Sequence, residues 1–150
     1  MKKISLSENK KKVIIEYDEN KVEVLHFKPE EKFPSLKNTK GINPRKCDYI
    51  VRISSKQEIK VLLIELKGNH VRHAISQFES VLKNHEFKEA FEEYNKCCLI
   101  IANNIPKAQI KTSQEQKKFR KKYSASLIFT SGQRCQLQAS SVLDCTCRCN

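Results

Sequence analysis

The run Glu58-Ile59-Lys60-Val61-Leu62-Leu63-Ile64-Glu65-Leu66-Lys67 constrains the fold of this 150-residue chain more than any other segment. Side chains alternate across a strand, so Val61, Leu63, Glu65 and Lys67 share one face while Leu62, Ile64 and Leu66 share the other. Both faces are apolar through Ile64, the pattern of an interior strand covered on two sides. A carboxylate and an ammonium then follow at the C-terminal end. Burying either unpaired is costly, so that end must open into a cleft or the two charges must be neutralised.

The preceding apolar segment, Cys47 to Ile53, reads as a strand that opens with its own acid, Asp48. Ser54-Ser55-Lys56-Gln57 turns the chain between the two. If they pair as a hairpin, the start of one lies beside the end of the other, and Asp48 converges on Glu65 with Lys67 nearby. Two carboxylates at one point repel unless a cation sits between them. Magnesium, which prefers oxygen ligands and keeps much of its water, suits that arrangement. Such an ion would hold a phosphate oxygen and acidify a water, with Lys67 orienting that water, helping to deprotonate it, or stabilising the transition state. Taken alone, Glu65 and Lys67 would be an ordinary solvated pair worth under about 1 kcal/mol. The two-faced strand and the antiparallel acid are what favour chemistry.

The rest of the chain supplies the setting. Val13–Tyr17 and Lys21–Phe27 read as strands joined through Asp18-Glu19-Asn20 into a hairpin. Pro29, Pro34, Gly41 and Pro44 punctuate a basic loop from Lys28 to Lys46. Apolar residues from Val71 to Leu82 recur at helical spacing, and Phe87, Ala90, Phe91 and Tyr94 continue it, with a break near Asn84-His85. Cys98–Ala102 is a short buried strand, Pro106 opens a polar helix to about Lys122, Ser126–Thr130 is another strand, and Arg134–Gln138 a small last one. The order β-β-β-β-α-β-α-β predicts an α/β (α+β) fold, a mixed central sheet with helices on its faces. Length fits one domain over residues 1–150, with a flexible cysteine-rich tail over 144–150.

Lysines and arginines exceed acids enough for a net charge of +12, which favours polyanionic partners. Nucleic acid is the expected partner, DNA ahead of RNA, with a homodimer or a partner subunit as a further expectation. No apolar run is long enough to cross a bilayer and no secretory signal is evident, so the expected setting is cytoplasmic, with no membrane partner. The placement of the seven cysteines does not suggest a disulfide framework, and thiols in a cytosolic chain are expected to stay reduced. Cys145, Cys147 and Cys149 alternate, whereas zinc sites use pairs two to four residues apart, so the tail reads as flexible rather than metal-binding.

Asp48 followed by Ile64-Glu65-Leu66-Lys67 at the end of an apolar strand resembles the PD-(D/E)XK signature of restriction-endonuclease-like nucleases. The meander, long helix, strand and further helix are similar in order to that family's core. The resemblance spans roughly Val13 to Thr130, and its motif rests on four positions. It implies a magnesium-dependent nuclease, manganese substituting, with Asp48, Glu65, Lys67 and Gln77 catalytic and Asp48, Glu65 and the Leu66 carbonyl as metal ligands. Gln77 resembles the glutamine that follows the motif in exonuclease-like and resolvase-like branches. Cys47 stands where the signature has proline, and Val81 where the exonuclease-like motif has tyrosine. Some members add an upstream glutamate, for which Glu16 and Glu23 both qualify. Around such a site Lys40, Arg45, Lys46, His70, Arg72 and His73 are the candidate phosphate contacts. The competing functions are a nucleic-acid-binding module without turnover and a small subunit that docks an acidic protein.

Overall fold

The computed structural model describes residues 1–37, 41, 44–67, 70–103 and 112–144. Strands β1 (Lys2–Glu8) and β2 (Lys11–Tyr17) form an N-terminal antiparallel hairpin. Its two-residue turn, Asn9-Lys10, holds φ values of 53° and 61°, the left-handed pair whose twist matches the strands it joins. Strand β3 (Glu23–Phe27) leads to a one-turn helix α1 (Pro29–Lys32) and a 3-10 turn at Pro34–Leu36. Strands β4 (Tyr49–Ser54) and β5 (Ile59–Leu66) follow, then helices α2 (Val71–Lys83) and α3 (His85–Phe91). Strand β6 (Asn95–Ala102), helix α4 (Thr112–Tyr123), strands β7 (Ala125–Ser131) and β8 (Arg134–Gln138) and helix α5 (Ala139–Leu143) complete the described chain.

Two sheets form rather than one. The larger has the order β3-β4-β5-β6-β7, antiparallel through β5 and parallel beyond it. The smaller has the order β1-β2-β8, with β2 and β8 parallel. The mixed α/β class follows the expectation, but the hairpin expected between Val13–Tyr17 and Lys21–Phe27 does not. Asp18 does turn the chain, its carbonyl accepting from the Lys21 and Val22 amides, yet the turn passes the chain from one sheet to the other. The reason is burial. Val13, Ile14 and Ile15 are all shielded and need cover on both faces, which β3, with Glu23, Leu25 and His26 exposed, cannot share.

The five-stranded sheet is the middle layer. Its helix-facing side packs Ile50, Val61, Leu63, Cys98 and Ile100 against Val71, Phe78, Val81, Phe87 and Phe91, with Phe119 from α4. Its other side packs Val51, Leu62, Ile64, Leu66 and Leu99 against Leu6, Val13, Ile15 and Leu137 of the small sheet and Val142 of α5. Every residue of β5 from Lys60 to Leu66 is buried, as its two apolar faces require. Asn84 ends α2 in an extended conformation and caps α3, its Oδ1 accepting from the Phe87 amide at 3.1 Å. Among the described residues no helix is long and apolar enough to cross a membrane.

The basic loop holds two short helical turns that the sequence pattern does not reveal, because each is a single turn anchored at a proline. Lys40, Pro106 with the rest of 104–111, and the tail cysteines Cys145, Cys147 and Cys149 lie outside the described residues, whereas the buried Cys135 is disulfide-bonded, against the expectation of reduced thiols.

Candidate active site

Pairing of Tyr49 with Ile64 brings Asp48 to the end of β5. The Asp48 amide donates to the Ile64 carbonyl at 3.0 Å, and the Leu66 amide donates to Asp48 Oδ2 at 2.8 Å. The strand geometry thus sends both acids toward the helix-facing side, the side of Ile50, two residues after Asp48, and of Leu63, two before Glu65. Lys67 Nζ stands 3.3 Å from Glu65 Oε2, with the Glu65 side chain 1% and the Lys67 side chain 20% exposed. The Glu65 carboxylate is therefore shut in, while the Lys67 side chain stays partly exposed.

This pair of acids is under electrostatic tension. Burial, then the adjacent Asp48 carboxylate, raises the Glu65 pKa to about 8, with Lys67 opposing. Burial also raises Asp48, opposed by the Leu66 amide, and Glu8 adds to the rise. Oε1 of Glu65 is buried without a hydrogen-bond partner, and so is Oε1 of Gln77. Buried oxygens of this kind are normally satisfied, so unpaired ones at a cleft floor need explaining.

Those oxygens bear on whether a divalent cation fits. Among the described residues no three His, Cys, Asp or Glu side chains gather closely enough to hold an ion alone. Magnesium does not require that, since it commonly binds one or two carboxylates and completes its shell with water and phosphate. Two converging carboxyls, one with an open oxygen, fit a hard cation, and the fit is that of a site finished by substrate.

The cleft outside this floor has a volume of about 470 Å³ and is lined by Glu8, Arg45, Lys46, Asp48, His73 and Gln77, among others. Gln77 Nε2 donates to the Lys46 carbonyl at 2.8 Å, which ties α2 to the incoming loop and leaves the amide oxygen open. Of the expected phosphate contacts, Arg45 and His73 are exposed at the cleft. Burial, then the charges of Lys67 and Arg45, lowers the His73 pKa. Lys46 is turned back, donating to the Leu36 carbonyl at 3.2 Å and lying 3.6 Å from Glu30. Arg72 points toward α4, 3.7 Å from Glu115. His70 is exposed just before α2, and Lys40 falls outside the described residues. Cys47 is a buried thiol whose pKa is pushed up by burial, so it packs rather than reacts.

Two residues of the N-terminal hairpin reach this site without any warning from the motif. Glu8, the last residue of β1, lines the cleft, and Asn9 in the turn donates through Nδ2 to the Leu66 carbonyl at 2.9 Å. Tyr49 Oη donates to the Ser7 carbonyl at 2.7 Å and helps seat the hairpin. Neither Glu16 nor Glu23 takes the upstream position: Glu16 accepts from Gln136 and Gln138 beside Lys3, and Glu23 is exposed on β3. The signal for the hairpin was there in Ile4 and Leu6 at period two followed by Asn9. No protein-family model, no curated protein and no solved structure matches this chain.

Proposed function

We propose that this protein is a magnesium-dependent nuclease with a restriction-endonuclease-like core, hydrolysing phosphodiester bonds in DNA. One observation carries the reading: Asp48 and Glu65 meet at the end of a buried strand, with an open carboxylate oxygen and the Lys67 ammonium 3.3 Å from Glu65. The order β3-β4-β5-α2-β6, antiparallel and then parallel, supports it as the core that the motif implies.

When bound, the ion would supply Lewis acidity and neutralise charge at the phosphate. Asp48 and Glu65 would hold it, with the Leu66 carbonyl available because Asn9 occupies only one of its two lone pairs. The Lys67 ammonium, 3.3 Å from Glu65, would stabilise negative charge building on the phosphate. The open oxygen of Gln77 can accept from a water and fix its direction. Arg45 and the exposed His73 give the backbone its contacts.

The test is incubation of purified protein with DNA and RNA of several forms, with magnesium or with chelator. Metal-dependent cleavage lost in Lys67→Ala, with binding retained, is the expected result, and the loss should reach at least about a hundredfold. No cleavage of any substrate while salt-sensitive binding persists would instead identify a binding module. No nucleic-acid binding at moderate salt would leave a subunit docking an acidic protein.

A further inference from the structure

A second concavity, of about 430 Å³, lies away from the cleft in the helix layer. Leu82 and Phe87 form its buried floor, and the half-buried Tyr123 closes one side. Four lysines line it: Lys83 at the end of α2, Lys88 in α3, Lys96 near the start of β6 and Lys122 at the end of α4. Lys96 pairs with Val61 in β5, four residues before Glu65, so the pocket is about 13 Å from the acidic site along the strand direction.

The charge here is unbalanced. Among the described residues Glu92 is the one acid lining the pocket, and Lys122 is 3.6 Å from Glu79, which also accepts from Tyr123. Among the described residues, no carboxylate lies within ion-pair distance of Lys83, Lys88 or Lys96. Lysines in a last helical turn commonly offset the carbonyl end of the helix, and that covers Lys83, Lys88 and Lys122. It does not cover Lys96, which stands on a strand, is half-buried and donates to the Tyr94 carbonyl at 2.8 Å. Burial lowers its pKa, with the Glu92 carboxylate opposing, so the ammonium is held partly out of water and Glu92 offsets it only in part. Converging cations with one of them desolvated are relieved by an anion, and an aromatic wall beside them suits a flat ring.

We propose that this pocket binds a phosphate group carried on a nucleoside unit, the phosphate among Lys83, Lys88 and Lys96 and the ring against Tyr123. The unit is either a free nucleotide or one residue of a polynucleotide crossing the helix layer. None of these side chains lines the cleft, so the proposal stands or fails apart from the hydrolytic reading.

The test is titration in chelator with AMP and with short and long oligodeoxythymidylates, followed by the Tyr123 ring resonances and by fluorescence anisotropy. Saturable binding that shifts Tyr123 and weakens at least about tenfold in K83Q/K88Q is expected. K117Q/K118Q, which removes two exposed lysines of α4 outside the pocket, should bind as the wild type does. AMP binding as tightly as the oligonucleotides identifies a free nucleotide, while affinity that grows with length identifies a polynucleotide. Absence of saturable binding by every probe overturns the proposal. So does an equal loss in K117Q/K118Q, which would be a general charge effect, or AMP binding that leaves the Tyr123 resonances unmoved, which would put the ligand elsewhere.

Discussion

Glu65 ties the stability of the protein to pH. Its folded pKa of about 8 lies above the ordinary 4.5, so between those values the folded chain holds a proton that the unfolded chain releases. The metal-free protein is therefore most stabilised by this group below pH 4.5, and that contribution is lost as pH rises through about 8. The raised Asp48 acts in the same direction. Denaturant midpoints measured across that window should fall with pH in the wild type and fall less steeply in Glu65→Gln, whose neutral amide has no proton to lose. Parallel curves for the two proteins would show that Glu65 is not desolvated as described. At this scale the sequence disclosed Asp48, Glu65 and Lys67, because strand alternation and antiparallel pairing follow from local pattern. It did not disclose Glu8 and Asn9, which meet Asp48 and Leu66 only because a separate hairpin docks beside them.

Among the elements, α2 and α3 were legible to within a few residues, break included. Apolar spacing placed the buried face, and Asn84 is the one residue there that both stops a helix and starts another. Replacing it with alanine removes the cap on the Phe87 amide and should cost about 1 kcal/mol in denaturant unfolding. Phe78, fully buried between α2 and the central sheet, should cost about 3–5 kcal/mol as alanine, because the layer cannot close over the lost ring. A loss under about 1 kcal/mol would mean that α2 is not clamped as described. The misread element is the hairpin across Asp18. Adjacent strands usually pair, but the small sheet needed β2 as its central strand, and that demand is invisible in a local window.

For the whole molecule, a net charge of +12 sets how any nucleic acid would be held. Binding should weaken steeply with salt and show little base preference, since phosphate contacts dominate such affinity. Arg45→Gln, at the cleft, should lower the slope of log affinity against log salt by about 1 without changing sequence preference. An unchanged slope in an anisotropy titration would place Arg45 off the binding path. Lys46, by contrast, is committed to Leu36 and Glu30, so its replacement should act on the loop rather than on the slope.

By itself the sequence determined the buried central strand, the charge change at its end, the antiparallel acid and the helices that cover one face. All of these follow from periodicities that act over a few residues, or from the pairing of strands joined by one short turn. Only the tertiary structure decided that the strands divide into two sheets and that the N-terminal hairpin brings Glu8 and Asn9 to the site. It also decided that four lysines spread from position 83 to 122 share one pocket. The reason is the same in each case: these contacts join distant segments, and which distant segments meet is set by burying apolar faces of the whole chain together, not by any local pattern.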